Sequence, residues 1–264
     1  MTRSIVLLLC ISTLACLAGC GGGGGSATLP LENVTRQMLP GDQYTYDITG
    51  TATDGLETID ITGTWQDTWS AQTTVAPDLT VCHIHLNNIT LAAEGLAPIV
   101  FTGRSYEYQD AAGCVWDYGG DDDDGVFWVD VPLAGRDLRI PSPMYNGTSW
   151  GGYCHYTNGK SSNNAYVVVG TETISVPAGR FETFRITSSG SFSGYPAIGM
   201  YWYAPHLSTA VKQELQVSFT DEGFTMNLTM VLTGRTRSAA VSADVRAHSE
   251  QVDLGEWMKQ LFEN

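Results

Sequence analysis

Apolar and polar residues alternate along most of the chain from Gly41 onward. Such alternation is typical of β-strands that bury one face. Asp54-Gly55 separates two alternating runs and indicates a tight hairpin turn. The pattern predicts strands over 44–49, 57–69, 81–91, 99–108, 126–131, 166–176, 181–188, 200–203, 211–220 and 224–234. We therefore predict an all-β, mainly antiparallel fold with a barrel- or sandwich-like curved sheet.

The end of the chain follows a different pattern. Apolar residues fall there at helical spacing, namely Leu254, Trp257, Met258, Leu261 and Phe262. This spacing predicts a short C-terminal amphipathic helix. The helix either packs on the β domain or binds a partner. The predicted division is a single β-rich domain over 38–235, followed by a linker and the helix over 236–264.

The start of the chain is similar to a bacterial lipoprotein signal peptide. Arg3 precedes an apolar stretch that is too short to span a bilayer comfortably. The stretch ends in Leu17-Ala18-Gly19-Cys20, which looks like the lipobox, where the cysteine thiol is diacylglycerylated. We predict a signal peptide over 1–19, lipidation of Cys20 and a flexible, glycine-rich tether over 20–37. An ordinary secretory signal with a chance cysteine is the alternative.

The predicted anchor implies a location and a first partner. The acyl chains on Cys20 would hold the protein on a lipid bilayer of the cell envelope, at the outer membrane in a Gram-negative cell. The folded domain would then face the periplasm or the outside.

Charge narrows the remaining classes of partner. The chain has 13 Lys and Arg residues against 28 Asp and Glu residues, which gives a formal net charge of −15. Residues 1–19 contain Arg3 and no acid, so the mature chain is near −16. Such a surface repels phosphate backbones and anionic head groups. We therefore expect no nucleic-acid partner, and a ligand or envelope protein that is neutral, cationic or apolar.

Three further cysteines remain in the mature chain. Two of Cys82, Cys114 and Cys154 could form a disulfide in an oxidising compartment, with a pairing that the sequence does not reveal. Three reduced thiols are the alternative.

Two groups of residues are weak candidates for metal ligands. His83 and His85 lie on one face of a predicted strand. An acidic run offers oxygen ligands that suit calcium, although Gly120 stands where a calcium loop has its first ligand. This run consists of Asp121, Asp122, Asp123 and Asp124. Solvated or hydrogen-bonded side chains explain both groups better, so we predict no firm metal site and no cofactor.

One motif, Gly147-Thr148-Ser149-Trp150-Gly151, has the Gly-x-Ser-x-Gly form of hydrolases. That motif works on a strand–turn–helix, with the serine exposed at the turn. The residues that follow, 152–159, favour no helix. We therefore predict no nucleophile at Ser149.

Aromatic residues are abundant, with 7 Trp and 12 Tyr. Trp65 and Trp69 share one face of a predicted strand, and Tyr106 and Tyr108 share one face of another. Such rings either line a ligand groove or fill the core of a β protein.

Two segments near the end of the β domain resemble a known family. They are Val176-Pro177-Ala178-Gly179-Arg180-Phe181 and Trp202-Tyr203-Ala204-Pro205, the second followed by Val211-Lys212. Together they are similar to the Val-Pro-Ala-Gly-x-Phe and Trp-Tyr-Ala-Pro motifs of TapB-like exported bacterial proteins. Here His206-Leu207-Ser208 stands where that family usually has Gly-Val-Gly. The resemblance implies a β-rich exported domain, often a lipoprotein, without established enzyme activity or catalytic residues.

The same residues have a structural explanation of their own. Pro177 and Gly179 suit a tight turn between two strands. Pro205 ends an aromatic strand because proline cannot donate to the ladder. Sequence and resemblance together predict a lipid-anchored envelope protein that binds a ligand or partner, or acts in assembly, and is not an enzyme. The alternatives are an envelope hydrolase and a metal-binding envelope protein.

Overall fold

The computed structural model describes residues 35–36, 38–122, 125–130, 137–192, 195–220 and 223–237. These residues form thirteen strands: β1 Asp42–Thr53, β2 Thr58–Val75, β3 Val81–Ala93, β4 Ile99–Gln109, β5 Val115–Asp122, β6 Gly125–Trp128, β7 Asp137–Ile140, β8 Ser149–His155, β9 Ser161–Val176, β10 Gly179–Phe192, β11 Tyr195–Ala204, β12 Thr209–Phe219 and β13 Phe224–Arg237. All of them pair antiparallel within one sheet. The predicted all-β, antiparallel fold is confirmed.

Most neighbours in the sheet are also neighbours along the chain. The order is β6-β5-β4-β3-β2-β1-β13-β12-β11-β10-β9-β8, and β7 pairs with β5 off this path. One meander, β1 to β6, thus meets a second, β8 to β13, along the ladder between β1 and β13. At the start of that ladder Asp42 is the Cα partner of Arg237.

The sheet curls until its two edge strands touch, but no continuous ladder closes it. The edges meet at an isolated bridge between Val129, just after β6, and Tyr156, just after β8. Beside it, the Asp130 amide donates to the His155 carbonyl at 2.7 Å. The curl encloses the inner face of the sheet.

Alternating side chains fill that inner face. On β1 Tyr44, Tyr46 and Ile48 are buried, and the main apolar cluster draws side chains from both meanders. The Tyr46 ring stacks on Trp65 with the ring centroids 4.4 Å apart. Full burial of each large apolar side chain stabilises the fold by roughly 1.5–3 kcal/mol. Gly63 lets β3 approach β2 closely, because a Cβ atom there would collide with the Thr90 carbonyl oxygen.

The alternation predicted ten strands, and all ten are present with shifted ends. It missed β5, β7 and β8. Strand β7 occupies 137–140, and β5 pairs antiparallel with β6 from Gly119 and Trp128 to Asp122 and Gly125. Gly119 in β5 and Gly151 in β8 have positive φ angles of 134° and 123°, which interrupt the apolar alternation.

The first described residues, Thr35 and Arg36, are joined to the folded strands by hydrogen bonds. Thr35 is buried and accepts a hydrogen bond from the Tyr203 hydroxyl at 3.0 Å. The Arg36 carbonyl accepts bonds from the Ser208 hydroxyl at 2.6 Å and from the Gln109 amide at 2.9 Å. The domain thus includes two residues that the sequence analysis assigned to the tether. Residues 1–34 and 238–264 lie outside the described residues, so the signal peptide, Cys20 and the C-terminal helix stay predictions.

Candidate functional site

A row of buried polar side chains crosses the inner face of β2, β3, β4, β5 and β7. On β2 it begins at Asp67, which lies between Trp65 of the main apolar cluster and Trp69 of a second cluster. The row consists of Asp67, His85, Asn87, Glu107, Asp117 and Arg139. Each lies at an inward position of its strand, where the alternation would otherwise place an apolar residue. We call these six residues the buried polar row.

Short contacts join the members of the row into a chain. The Nδ1 atom of His85 lies 3.2 Å from Oδ1 of Asp67, and its Nε2 atom lies 3.8 Å from Oε2 of Glu107. Arg139 reaches both remaining carboxylates, with Nη1 3.7 Å from Oε1 of Glu107 and Nη2 3.0 Å from Oδ2 of Asp117. One guanidinium thus faces two buried carboxylates on β4 and β5.

Aromatic rings close the row on its Asp67 side. The Trp69 ring meets His85 edge-on, with the centroids 3.7 Å apart. The Trp65 indole N–H donates to the Asn87 side-chain oxygen at 3.2 Å. These contacts fix the imidazole and the amide in place. The row is therefore held rigidly by the core around it.

Burial sets the charge state of the Asp67–His85 pair. Desolvation raises the pKa of Asp67 well above its ordinary value and lowers the pKa of His85 to about 3. The nearby Glu107 carboxylate opposes the His85 shift, but desolvation is larger. At neutral pH His85 is therefore uncharged, and burial favours the protonated form of Asp67.

The row has donors and acceptors of the kind used in acid–base chemistry, but it is buried in the core. The side chains of Asp67, His85 and Glu107 are fully buried. A general base must come within hydrogen-bond reach of a substrate proton. In this structure the row can hold or exchange a proton within the core. Its effect on the stability of the fold depends on whether each buried charge keeps a partner of opposite charge.

The predicted metal candidates do not converge. His83 and His85 do share one face of β3, since both rings contact Trp69. Asp121 instead accepts a hydrogen bond from the Tyr106 hydroxyl at 2.7 Å and faces Arg104. Across the described residues, no three His, Cys, Asp or Glu side chains are arranged to hold a metal ion. Asp122 ends β5, and Asp123 and Asp124 lie outside the described residues.

The three cysteines lie in different surroundings. Cys82 packs in a cluster on the outer face, and Cys154 lies in the main core. The Cys114 thiol lies 3.4 Å from the Ser142 carbonyl oxygen. No disulfide joins these three residues in the structure.

The hydrolase-like motif lies on a strand rather than at a strand–turn–helix. Ser149 opens β8, and its Cα partner is Val167 of β9. His155 is six residues away on the same strand, about 20 Å at the rise of a β-strand. The inferred absence of a helix after the motif is confirmed for the described residues.

The aromatic residues proposed for a groove are core residues. Trp65, Trp69 and Tyr106 are buried, and Tyr108 packs against the outer cluster. Trp65 and Trp69 share a face as predicted. Their rings fill the interior and do not line an open surface.

The motif residues of the predicted family meet at one end of the sheet. The two-residue turn Pro177-Ala178 joins β9 to β10, and the Ala178 amide donates to the Leu232 carbonyl at 3.2 Å. Phe181 stacks on His206, with the centroids 5.9 Å apart. His206 belongs to the turn after Ala204, so the hairpin motif and the strand motif pack together.

The second motif also carries a polar contact at its strand. The Trp202 indole N–H donates to Oε2 of Glu172 at 2.9 Å. The Lys212 ammonium lies 4.4 Å from the Trp202 ring centroid. The first contact links β11 to β9 across β10, and the second links β11 to its neighbour β12, so both favour a structural role for the motif.

Sequence reasoning missed five of the six members of the row, namely Asp67, Asn87, Glu107, Asp117 and Arg139. The available signal was positional: Asp67 lies midway between Trp65 and Trp69, on the face that both tryptophans occupy. A polar residue at an inward position of a strand indicates a buried partner.

Comparison with known proteins gives weak similarities. No protein-family model matches the sequence, and no curated protein matches it. A crystal structure of an exported protein with a YmcC-like fold from Bacteroides fragilis is 13% identical, with a TM-score of 0.38, and covers 77% of this chain and 99% of that one. A DUF1329 family protein from Desulfovibrio piger is 8% identical, with a TM-score of 0.25, and covers 77% and 88%.

Similarities of this size carry no property of those proteins over to this chain. The resemblance to TapB-like proteins is not confirmed by them. The described residues include no helix with the length and hydropathy needed to cross a bilayer.

Proposed function

We propose that the mature protein is a lipid-anchored, non-catalytic protein of the bacterial cell envelope that binds an apolar or neutral ligand or a protein partner. The observation that carries the proposal is Leu17-Ala18-Gly19-Cys20 behind a short apolar stretch. In a Gram-negative cell we propose the outer membrane as its location. The resemblance to TapB-like proteins supports export, and no cofactor is proposed.

The way the chain enters the fold supports an anchor at Cys20. Residues 21–34 separate Cys20 from Thr35, where the folded domain begins. A chain of that length reaches at most about 50 Å. The lipid would therefore keep Thr35 within about 50 Å of the bilayer.

The placement of the candidate catalytic groups supports binding over catalysis. The Asp67–His85 pair is enclosed in the core. Ser149 is exposed on β8, but His155 on that strand is about 20 Å away. Nucleophilic catalysis needs a serine and a base in hydrogen-bond contact. A surface contact with a neutral or apolar partner needs neither.

The anchor is tested by phase partitioning of the full chain expressed with its own signal. Wild type should enter the detergent phase, and Cys20→Ala should remain in the aqueous phase. Cys16→Ala is the matched control, because it removes a cysteine within the signal peptide outside the lipobox. Detergent partitioning of Cys20→Ala equal to wild type would show that the anchor lies elsewhere.

Catalysis is tested separately with Ser149→Ala. This change removes the hydroxyl of the hydrolase-like motif at an exposed strand position, so the fold should be unchanged. We expect no esterase activity in either protein above buffer. Activity in wild type that is lost in Ser149→Ala would favour the hydrolase alternative.

A further inference from the structure

The hairpin between β2 and β3 ends in an exposed apolar tip. Val75 and Val81 are Cα partners across this hairpin and are 56% and 53% exposed. Leu79, in the turn between them, is 81% exposed. Pro77 adds a further exposed apolar surface. We call these four residues the β2–β3 tip.

The turn holds Leu79 in a conformation that leucine rarely adopts. Its φ is 69°, in the left-handed region that glycine and asparagine prefer. Strained residues of this kind persist where the surroundings impose them, and they concentrate at functional positions. Because the Leu79 side chain is exposed, packing in the core of its own domain does not stabilise it at this position.

Side chains from the outer face of the sheet brace the turn. The Tyr118 hydroxyl lies 3.2 Å from the Thr80 hydroxyl and 3.5 Å from Oδ2 of Asp78. The Leu79 amide donates to the Ala76 carbonyl at 2.9 Å, and Ala76 itself is buried. The tip is therefore a fixed projection.

The tip lies at the end of the sheet where the chain enters. Since β2 is antiparallel to β1, the end of β2 lies beyond the start of β1. The Gly41 amide donates to the Trp69 carbonyl at 2.7 Å, six residues before Val75. A lipid on Cys20 would bring this end of the domain toward the bilayer without extending the intervening chain around the sheet.

We propose that the β2–β3 tip docks on the bilayer that holds the Cys20 lipid, with Leu79 inserted among the head groups. This inference rests on the proposed anchor. Asp78 is the single charged residue between Val75 and Val81, and this stretch of the sequence contains no Lys or Arg. The tip therefore fits a neutral, zwitterionic lipid surface and not an anionic one.

The opposite end of the sheet supplies a matched control. Leu56, in the turn between β1 and β2, is 92% exposed. Asp54 and Glu57 lie in the same turn, and the Asp54 carboxylate accepts hydrogen bonds from the amides of Leu56 and Glu57 at 2.8 Å. Leu56 is thus an equally exposed leucine on a charged turn, distant from the point of chain entry.

The test uses Leu79→Trp and Leu56→Trp in the full lipidated chain on phosphatidylcholine vesicles. The emission that each substitution adds to that of the seven native tryptophans is measured with and without brominated lipid. The emission added by Leu79→Trp should be blue-shifted and quenched by the brominated lipid. The emission added by Leu56→Trp should show neither change. Leu79→Ser, which replaces the exposed apolar side chain by a polar one, should abolish the protection of the hairpin from protease on vesicles.

Each other result overturns the inference in a distinct way. Wild type that does not float with the vesicles contradicts the anchor itself. Wild type that floats, with equal quenching of both tryptophan variants, contradicts docking and leaves the anchor intact. Blue-shifted emission from Leu79→Trp in lipid-free Cys20→Ala protein, unaffected by brominated lipid, would show that another segment such as 238–264 covers the tip.

Discussion

The imidazole of His85 lies 3.2 Å from the carboxyl group of Asp67, and both side chains are completely buried. Desolvation acts on the two groups in opposite directions, since it favours the protonated acid and the unprotonated base. The core thus stabilises a neutral pair in a place where solvent would favour two charges.

This pair predicts two opposite pH dependences. His85 has a folded pKa of about 3, below its ordinary value of 6.5, so its contribution to stability is present above pH 6.5 and is lost as the pH falls toward 3. Asp67 has a raised folded pKa, so its contribution is present below its ordinary pKa and is lost as the pH rises through the folded value. In the wild type the contributions of His85 and Asp67 to the free energy of unfolding change with pH in opposite directions, so they partly cancel between pH 4 and 6.5.

Single substitutions should separate the two slopes. Asp67→Asn should make the free energy of unfolding fall more steeply on acidification, and His85→Gln should reverse that trend. Each difference from wild type is at most about 1.4 kcal/mol per pH unit. Urea denaturation between pH 4.5 and 6.5 measures both, with His155→Gln on an edge strand as the control. Parallel pH profiles for all four proteins would contradict the neutral pair.

Arg139→Met should destabilise the domain strongly. It removes the guanidinium that faces both Glu107 and Asp117 while those carboxylates stay buried. Loss of one partner from a buried ion pair costs about 3–5 kcal/mol. Denaturant midpoints at pH 7 provide the measurement. The triple change Arg139→Met, Glu107→Gln and Asp117→Asn should recover much of the loss, and a triple variant as unstable as the single one would argue for packing as the cause.

Ser208 combines a backbone strain with a hydrogen bond, and substitutions can separate them. Its φ is 55°, and its hydroxyl donates to the Arg36 carbonyl at 2.6 Å. Ser208→Ala keeps the strain and loses the bond, which should cost about 1–2 kcal/mol. Ser208→Gly loses the same bond but relieves the strain, so its melting temperature should lie above that of Ser208→Ala. The reverse order would contradict a strained turn.

Thiol titration should distinguish three reduced cysteines from a disulfide. In Cys20→Ala protein expressed without residues 1–19, we expect three reactive thiols after denaturation. In the native state Cys82 and Cys154 are buried, and burial raises the pKa of the Cys114 thiol, so reaction should be slow. A count of one thiol after denaturation under non-reducing conditions would establish a disulfide.

The sequence predicted the strands whose inward residues are apolar. Tyr44, Tyr46 and Ile48 alternate with polar residues, and hairpin turns such as Asp54-Gly55 separate such runs. Those rules are local, and an antiparallel meander is built from local pairs. The alternation did not predict β5, because Asp117 occupies an inward position and Gly119 lies two residues further along the strand.

The buried polar row could not be predicted, because its contacts join residues that are far apart in the sequence. Asp67 and Glu107 look like ordinary solvated acids until the sheet places them on the enclosed face. Arg139 comes from β7, a four-residue strand that carries no alternation and pairs with β5 across a long connection. His85 was identified as a residue of interest, but its partner Asp67 depends on the β2–β3 register.

The pairing of Asp42 with Arg237 places the two ends of the folded domain side by side. The β1–β13 ladder pairs the first strand of one meander with the last strand of the other. All twelve residues of β1 take part in it. A circular permutant that links 237 to 35 through a short peptide and opens the chain at the exposed turn near Gly147 would keep every ladder of the sheet and the hydrogen bonds of Thr35 and Arg36. In such a permutant the seam between the meanders becomes a hairpin, and the slowest long-range closure in folding becomes a local one.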